Sequence, residues 1–258
     1  MIVKQYRLHL ETADGRWAHP DWGYHLYAAL LEDVSKTTGN RLHENERTPV
    51  SQFLHCEKKG KGQSLCWYVS LLGEKCQWEI SHILEYRREY FLKKENVTLR
   101  VLDWKAEGVE DTDELFRLTE DMPRTHRIKV LTPAAFKVKG KYQPFPDIRL
   151  ILQSLFRQWN AYVPQCPIED ADGEGLEAMA NRLVCTEFAV FSRRYAMKQI
   201  GVTGFVGDLT LENRAQGFHR QLIDALLYFG SYTGIGIKTA LGMGGMTEKA
   251  LSLDRHKK

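Results

Sequence analysis

What most constrains the fold of this chain is the order in which its hydrophobic pattern switches between strand-like alternation and helical spacing. The first run, "QYRLHL", alternates, with Tyr6, Leu8 and Leu10 on one side and Gln5, Arg7 and His9 on the other, the pattern of a half-buried strand. "DWGYHLYAALLEDV" then repeats Trp22, Leu26, Ala29, Leu30 and Val34 at helical spacing, with Asp21 placed to cap the helix. After a polar loop, residues 50–55 and "SLCWYVSLL" read as two strands joined by the Lys/Gly turn "EKKGKGQ". A second helix is predicted from Glu79 to Phe91, with Ile80, Ile83, Leu84 and Phe91 inward, before "VTLRVLDW" returns to alternation. The order is β-α-β-β-α-β.

The second half runs through the same order. "RIKVL" is a strand, and "TPAAFKVKGKYQPF" reads as an inserted hairpin or loop. "PDIRLILQSLFRQWN" carries Ile148, Ile151, Leu152, Leu155, Phe156 and Trp159 on one apolar stripe, with Pro146 at its start. "LVCTEFAVF" and "GFVGDLTL" are strands, "GFHRQLIDALLYFG" is a helix with Leu222, Ala225, Leu226 and Phe229 inward, and "GMTEKAL" completes the set. Two such units predict an α+β protein of tandem ferredoxin-like (RRM-like) domains, each an antiparallel four-stranded sheet with helices on one face. The expected domains are residues 1–118 and 126–258, joined near the polar stretch "RLTEDMPRTH". Sheets of this kind serve as RNA platforms in some proteins, but a fold alone licenses no function.

A length of 258 residues suits two modest cores. The formal charge is only +3, so any surface for an acidic partner has to be a local one. The C-terminal "RHKK" adds to that small excess and reads as a disordered end. Cysteines 56, 66, 76, 166 and 185 are odd in number and form no C-x-x-C pair, and no histidine cluster completes a zinc spacing. The N-terminus is too polar for a signal peptide, and no apolar run approaches membrane-spanning length. These features predict a cytoplasmic protein with reduced thiols, no metal, no cofactor and no membrane partner.

One stretch stands apart. "GIGIKTALGMGG" puts glycines 234, 236, 242, 244 and 245 into twelve positions after the last helix. It is not a P-loop, because Ile237 stands where the final glycine must be and the segment follows a helix. Nor is it a dinucleotide fingerprint, since Thr239 takes the third glycine's place and too little chain remains. Two readings stay open. The glycines could clear space for an extended phosphate backbone, with Lys238 and Thr239 adding a cation and a donor. Alternatively they relieve contact inside a packed loop.

"GSYTGIGIKTALGMGG" after "FHRQLIDALLYF" closely resembles the C-terminal glycine-rich loop of the CRISPR-associated repeat-cleaving endoribonucleases, the sixth of the Cas proteins, in the RAMP superfamily. "TGFVGDLTL" is similar to that family's penultimate strand, and "LTPAAF…PFPDIRLILQSLFRQWN" to the opening of its second domain. "RLHENERTPVSQF" resembles the first-domain segment that holds the family's histidine. The matches span most of the chain in the expected order, and the glycine loop is the specific one. The resemblance implies tandem ferredoxin-like domains and metal-independent cleavage of the repeats in a long CRISPR precursor RNA. Its alternative is a non-catalytic RNA-binding subunit of a CRISPR effector complex.

Such cleavage has the ribose 2′-hydroxyl attack its own phosphate in line, leaving a 2′,3′-cyclic phosphate and a 5′-hydroxyl. It needs a base, an acid and a cation for the phosphorane. Histidine suits the proton transfers because both its protonation states exist near neutral pH. His43, after the first helix, matches the family's "LHE" position, and Arg47 matches one where relatives often carry lysine. Some relatives have a catalytic tyrosine on the first helix where Leu31 aligns here; Tyr27, Tyr24 or His25 could replace it, and the base stays unassigned. A pure RNA binder has no need for His43, which separates the two functional readings. For binding a stem-loop RNA by shape, Lys137, Lys139 and Lys141 alternate so that they could share one strand face. Arg193, Arg194 and Lys198 cluster between two strands, and Arg149 and Arg157 sit off the apolar stripe of their helix.

Overall fold

The alternating and helical runs fold, in a computed structural model, into two antiparallel sheets with helices against one face of each. The structure describes residues 1–44, 48–73, 77–197 and 200–251. In the first half, β1 (Val3–Thr12) pairs antiparallel with β3 (Gly62–Leu72) and with β5 (Val97–Val109). β2 (Val50–Lys59) pairs with β3, and β4 (Glu89–Leu92) with β5, so the sheet order is β2-β3-β1-β5-β4. Without β4 this is the ferredoxin-like order. Tyr6, Leu8 and Leu10 are buried beneath α1 (Trp22–Leu31) and α3 (Gln77–Tyr86), as the alternation predicts. Arg7 and His9 stay on the open face, paired with Glu107 and Asp103.

Three local expectations change here. The helix predicted to run to Phe91 ends at Tyr86, and the residues that follow form β4. Tyr90 and Leu92 alternate into the core opposite Leu99 and Val97, whereas Phe91 is left exposed; a strand buries two large side chains there. Asp21 does not cap α1 with its side chain; its Oδ2 instead accepts from the Ala196 N–H, in the other half of the chain. The loop expected to carry His43 contains a second helix, α2 (Lys36–Glu44), with His43 in its last turn.

The second sheet has the order β11-β6-β10-β9, from β6 (Thr125–Ala134), β9 (Leu183–Met197), β10 (Ile200–Asn213) and β11 (Met246–Leu251). Its face is covered by α5 (Ile148–Tyr162) and α7 (Gly217–Thr233), with the short α6 (Glu174–Ala180) against α5. Asp147 caps α5 by accepting from the Leu150 N–H at 2.9 Å, and the predicted stripe is buried from Ile151 to Trp159, with Ile148 half-buried. The fold is therefore α+β, consistent with tandem ferredoxin-like domains.

The join is less polar than its sequence suggests. It begins within α4 (Thr112–Thr119), which Asp111 caps through the Glu114 N–H and which packs on α7 with Leu115 and Thr119 buried. Ile2, Val3, Leu72 and Val109 also belong to the second half's hydrophobic cluster, so apolar contact runs across the join. Among the described residues no helix is long and apolar enough to cross a membrane. Cys56, Cys66, Cys166 and Cys185 are free thiols, and burial pushes the Cys56 thiol up to about 12.

A cluster of polar side chains lies inside the second half. His126 is fully buried, and its Nε2 donates to Asp224 Oδ1 at 2.9 Å while Nδ1 donates to Glu248 Oε1 at 2.8 Å. It thereby ties α7 and β11 to β6. Burial alone pushes the imidazole pKa down, but the two carboxylate hydrogen bonds outweigh it and raise it to about 9. A folded-state value above the unfolded one stabilises the fold fully below pH ~6.5. That contribution disappears as pH rises through about 9. We expect denaturant unfolding to report a loss on the order of 3 kcal/mol over that window. His126→Asn should be less stable at pH 6 and lack this slope; a variant with the parent's pH profile would remove the assignment.

Candidate functional site

The glycine-rich stretch leaves α7 at Gly234, whose φ of +70° no side chain favours and whose N–H returns to the Gly230 carbonyl. The loop is then fastened inside the second half. The Ile235 N–H donates to Gly244 O, the Gly236 N–H to Ser154 Oγ on α5, and the Ile237 N–H to Ala135 O. On the return, the Gly244 N–H donates to Pro133 O and the Gly245 N–H to Thr132 Oγ1. Between them Lys238, at φ +60°, opens a one-turn 3-10 helix (Thr239–Leu241). Among the described residues the N–H groups of Lys238, Thr239 and Ala240 have no acceptor within the chain.

This decides between the two readings of most of the glycines. Gly234, Gly242, Gly244 and Gly245 are buried, and the space each leaves is filled by this chain's own atoms. A Cβ at Gly244 would collide with the Ile235 carbonyl, one at Gly242 with the Tyr195 hydroxyl, and one at Gly245 with the Phe53 ring. Gly236, half-buried, would meet the Ala135 carbonyl. Their expected role in making room for RNA is corrected to one in packing. The half-buried run 236–241 is the part the loop presents outward.

The loop also bridges the two halves. Gln52 on β2 donates from Nε2 to Ala240 O at 3.1 Å, and its Oε1 accepts from Trp67 Nε1 at 2.8 Å. The Tyr195 hydroxyl, on β9, donates to Leu241 O at 3.0 Å. Residues 236–241 then form one wall of a cleft of about 480 Å³. Lys137, Arg157 and Tyr162 contribute other walls, and Thr48 reaches it from the first half.

The predicted residues divide around this cleft. Lys238, Thr239, Lys137 and Arg157 line it together. Thr48 is the first described residue after the segment that contains Arg47, which lies outside the described residues. His43 belongs to α2, whose neighbour Leu42 is buried in the first core, while its own side chain lies outside the described part. Tyr27 is buried in that core at 6% exposure and does not line the cleft, against the expectation that it could serve there. Leu31 is half-buried against the same core. Tyr24, like Ile237 and Leu241 of the glycine loop, packs against the cluster of Ala135, Tyr195, Met197, Val202 and Met243. His25 turns toward Glu95, 3.5 Å away, and burial lowers its pKa.

Three of the basic groupings change. Lys137 and Lys141 lie on the paired strands β7 (Phe136–Val138) and β8 (Lys141–Gln143), where Lys137 faces Tyr142 and Val138 faces Lys141. Lys139 is in the turn at φ +48°, next to Gly140. The three lysines therefore share no strand face, because residues directly opposite in a pair point the same way and their neighbours point the other. Arg193 and Arg194 are consecutive in β9, so they too point to opposite faces, with Arg193 over the Phe191 ring; Lys198 lies outside the described residues. Arg149 is exposed and pairs with Glu177 at 2.9 Å rather than joining the cleft beside the loop.

Gln153, Ser154 and Tyr162 reach the cleft without having been singled out. A signal for Gln153 existed: extending Arg149 and Arg157 at i+4 spacing along the polar face of α5 passes through it. Tyr162, Gln52 and Tyr195 had no such signal, since each acts on a residue distant in sequence.

The family model of CRISPR-associated endoribonuclease Cas6 matches residues 128–246, which include the glycine loop. Over that stretch the chain resembles the Cas6 family. It is 28% identical over 234 residues to the CRISPR-associated endoribonuclease Cas6 of Mycobacterium tuberculosis, covering 89% of this chain and 72% of that protein. It is 25% identical over 231 residues to the Cas6 of Streptococcus thermophilus, covering 88% and 92%. A solved Cas6 product complex superposes with a TM-score of 0.75 at 24% identity, covering 96% of this chain and 100% of the other, and so shares the Cas6 fold.

Proposed function

We propose that this chain is a cytoplasmic, metal-independent endoribonuclease that cuts CRISPR precursor RNA within its repeats. The observation that carries the reading is the cleft in which the outward run of the glycine loop, Lys137 and Arg157 meet the end of the segment that follows His43. RNA is the substrate such a surface suits: cations from separate elements meet three backbone N–H groups that have no acceptor among the described residues. The named activity of the relatives supports the same reading.

In the proposed step the 2′-oxygen loses its proton to a base and bonds to phosphorus as the bond to the 5′-oxygen breaks. His43 gives the leaving 5′-oxygen its proton. Lys238, Arg157 and Arg47 offset the negative charge that builds on the phosphorane. Tyr24, half-buried, is more open to bound RNA than Tyr27, whose ring is buried. The product ends are a 2′,3′-cyclic phosphate and a 5′-hydroxyl, and an effector complex is a natural recipient for the trimmed RNA.

The test is to incubate the protein in EDTA with the CRISPR repeats encoded beside its own gene and to map the ends. Undiminished cutting with a cyclic phosphate is expected. Loss of activity in EDTA, or 5′-phosphate ends, would point to metal-assisted hydrolysis instead. Tight binding with no cutting at all would favour a non-catalytic subunit.

A further inference from the structure

The helix that bears His43 is poorly equipped to hold itself in place. Its sequence "KTTGNRLHE" has Gly39 and Asn40 in the middle, and among its described side chains only Thr38 and Leu42 are buried. A nine-residue helix of this composition is marginal alone, because nucleation is costly and its middle residues are weak helix formers.

Side chains from outside the helix supply the restraint at each end. At the N-terminus, the Glu79 carboxylate, in the first turn of α3, accepts from the Ser35 N–H, the Ser35 hydroxyl and the Thr38 hydroxyl. Ser35 itself caps α2 by accepting from the Thr38 N–H at 3.2 Å. A carboxylate suits that end, where the helix leaves donors and partial positive charge. Burial works against its ionisation, but the hydrogen bonds from Thr38 and Ser35 outweigh it and hold Glu79 below the ordinary carboxylate pKa.

At the C-terminal end, the Thr48 hydroxyl donates to the Leu42 carbonyl at 3.4 Å. The Thr48 carbonyl in turn accepts from the Tyr162 hydroxyl at 2.7 Å. Tyr162 is the last residue of α5, so this second bond passes from one half of the chain to the other, along the cleft that both residues line.

We propose that Glu79 and Tyr162 are positioning residues for His43, holding the two ends of its helix and thereby fixing how the imidazole meets RNA in the cleft. The inference rests on the proposed function and adds to it what orients the group doing the proton transfer. A displacement of about 1 Å in a catalytic group can cost roughly 10²-fold in rate, so loose anchoring has a measurable consequence.

The experiment compares the parent with Glu79→Ala, Glu79→Gln and Tyr162→Phe. It reads single-turnover cleavage of a repeat RNA, affinity for the same RNA with a 2′-deoxy cut site, and amide exchange of Thr38–Leu42. Tyr162→Phe removes one oxygen, and Glu79→Gln keeps one carbonyl acceptor, so both should fold even if Glu79→Ala does not. Tyr162→Phe and Glu79→Ala should slow cleavage by about tenfold or more. Glu79→Gln should recover part of the rate, affinity should stay within about twofold, and α2 amides should exchange faster while sheet amides do not. Unchanged exchange would overturn the anchoring. Faster exchange with an unchanged rate would overturn its relevance to cleavage, and weakened binding equal to the lost rate would make these side chains RNA contacts instead. If the parent cuts no repeat RNA, the proposed function fails, and the exchange data still decide the anchoring independently.

Discussion

His43→Ala should lower single-turnover cleavage of a repeat RNA by at least about 10²-fold, with affinity for the uncleaved RNA changed less than about threefold. The size of the rate effect follows from chemistry. Without a positioned acid the leaving 5′-oxygen departs as an alkoxide or takes its proton from water, and positioned acid–base help is typically worth roughly 10²–10⁴-fold. The insensitivity of binding follows from location. His43 belongs to a short helix of the first half, whereas the cations of the cleft come from the glycine loop, β7 and α5. The pH–rate profile adds a second readout: the parent should lose rate as pH rises through the imidazole's titration, and the variant should not. An alanine variant that cuts at the parent's rate removes His43 from the chemistry.

Gly244→Val should have the largest effect on stability. The φ of +68° excludes a β-branched residue, and the new Cβ would run into the Ile235 carbonyl, which is backbone and cannot swing aside. Strained backbone of this kind costs about 1–3 kcal/mol before any collision is counted. A total of at least about 3 kcal/mol is expected, read as a thermal midpoint lower by roughly 6–12 °C in a chain of this size. Lys238→Ala makes the contrast. It removes a half-buried cation from the cleft and should weaken RNA binding several-fold, more so at low salt, with a midpoint shift of about 1 °C. If Gly244→Val leaves the midpoint in place and only RNA affinity falls, the buried glycines serve the ligand after all.

The contrast between these two residues marks how far the sequence could be read. Lys238 and Gly244 stand six positions apart in one motif, and the sequence offers RNA contact as one reading of both. What separates them is which neighbours occupy the space beside them: Ile235 for Gly244, the open cleft for Lys238. The same limit explains the lysines of "KVKGKY". Their spacing fits one strand face, but Gly140 with Lys139 makes the turn there, and a turn in mid-run reverses the chain. Tyr27 failed for another reason. Helical spacing puts it near Leu26 and Leu30, and only the packed core decides that its ring goes inward while Tyr24 stays half-buried.

The sequence by itself determined the β-α-β-β-α-β order of each half, the apolar stripe of α5, and the family that the glycine loop resembles. Those depend on residues within a turn or two of one another, where periodicity and steric preference act directly. Only the tertiary structure decided that Thr48, Lys137, Arg157 and Lys238 line one cleft, that Tyr162 reaches Thr48, and that His126 lies between two buried carboxylates. Such meetings join positions tens to hundreds of residues apart, and their geometry is set by how two sheets and their helices pack, which no local pattern encodes.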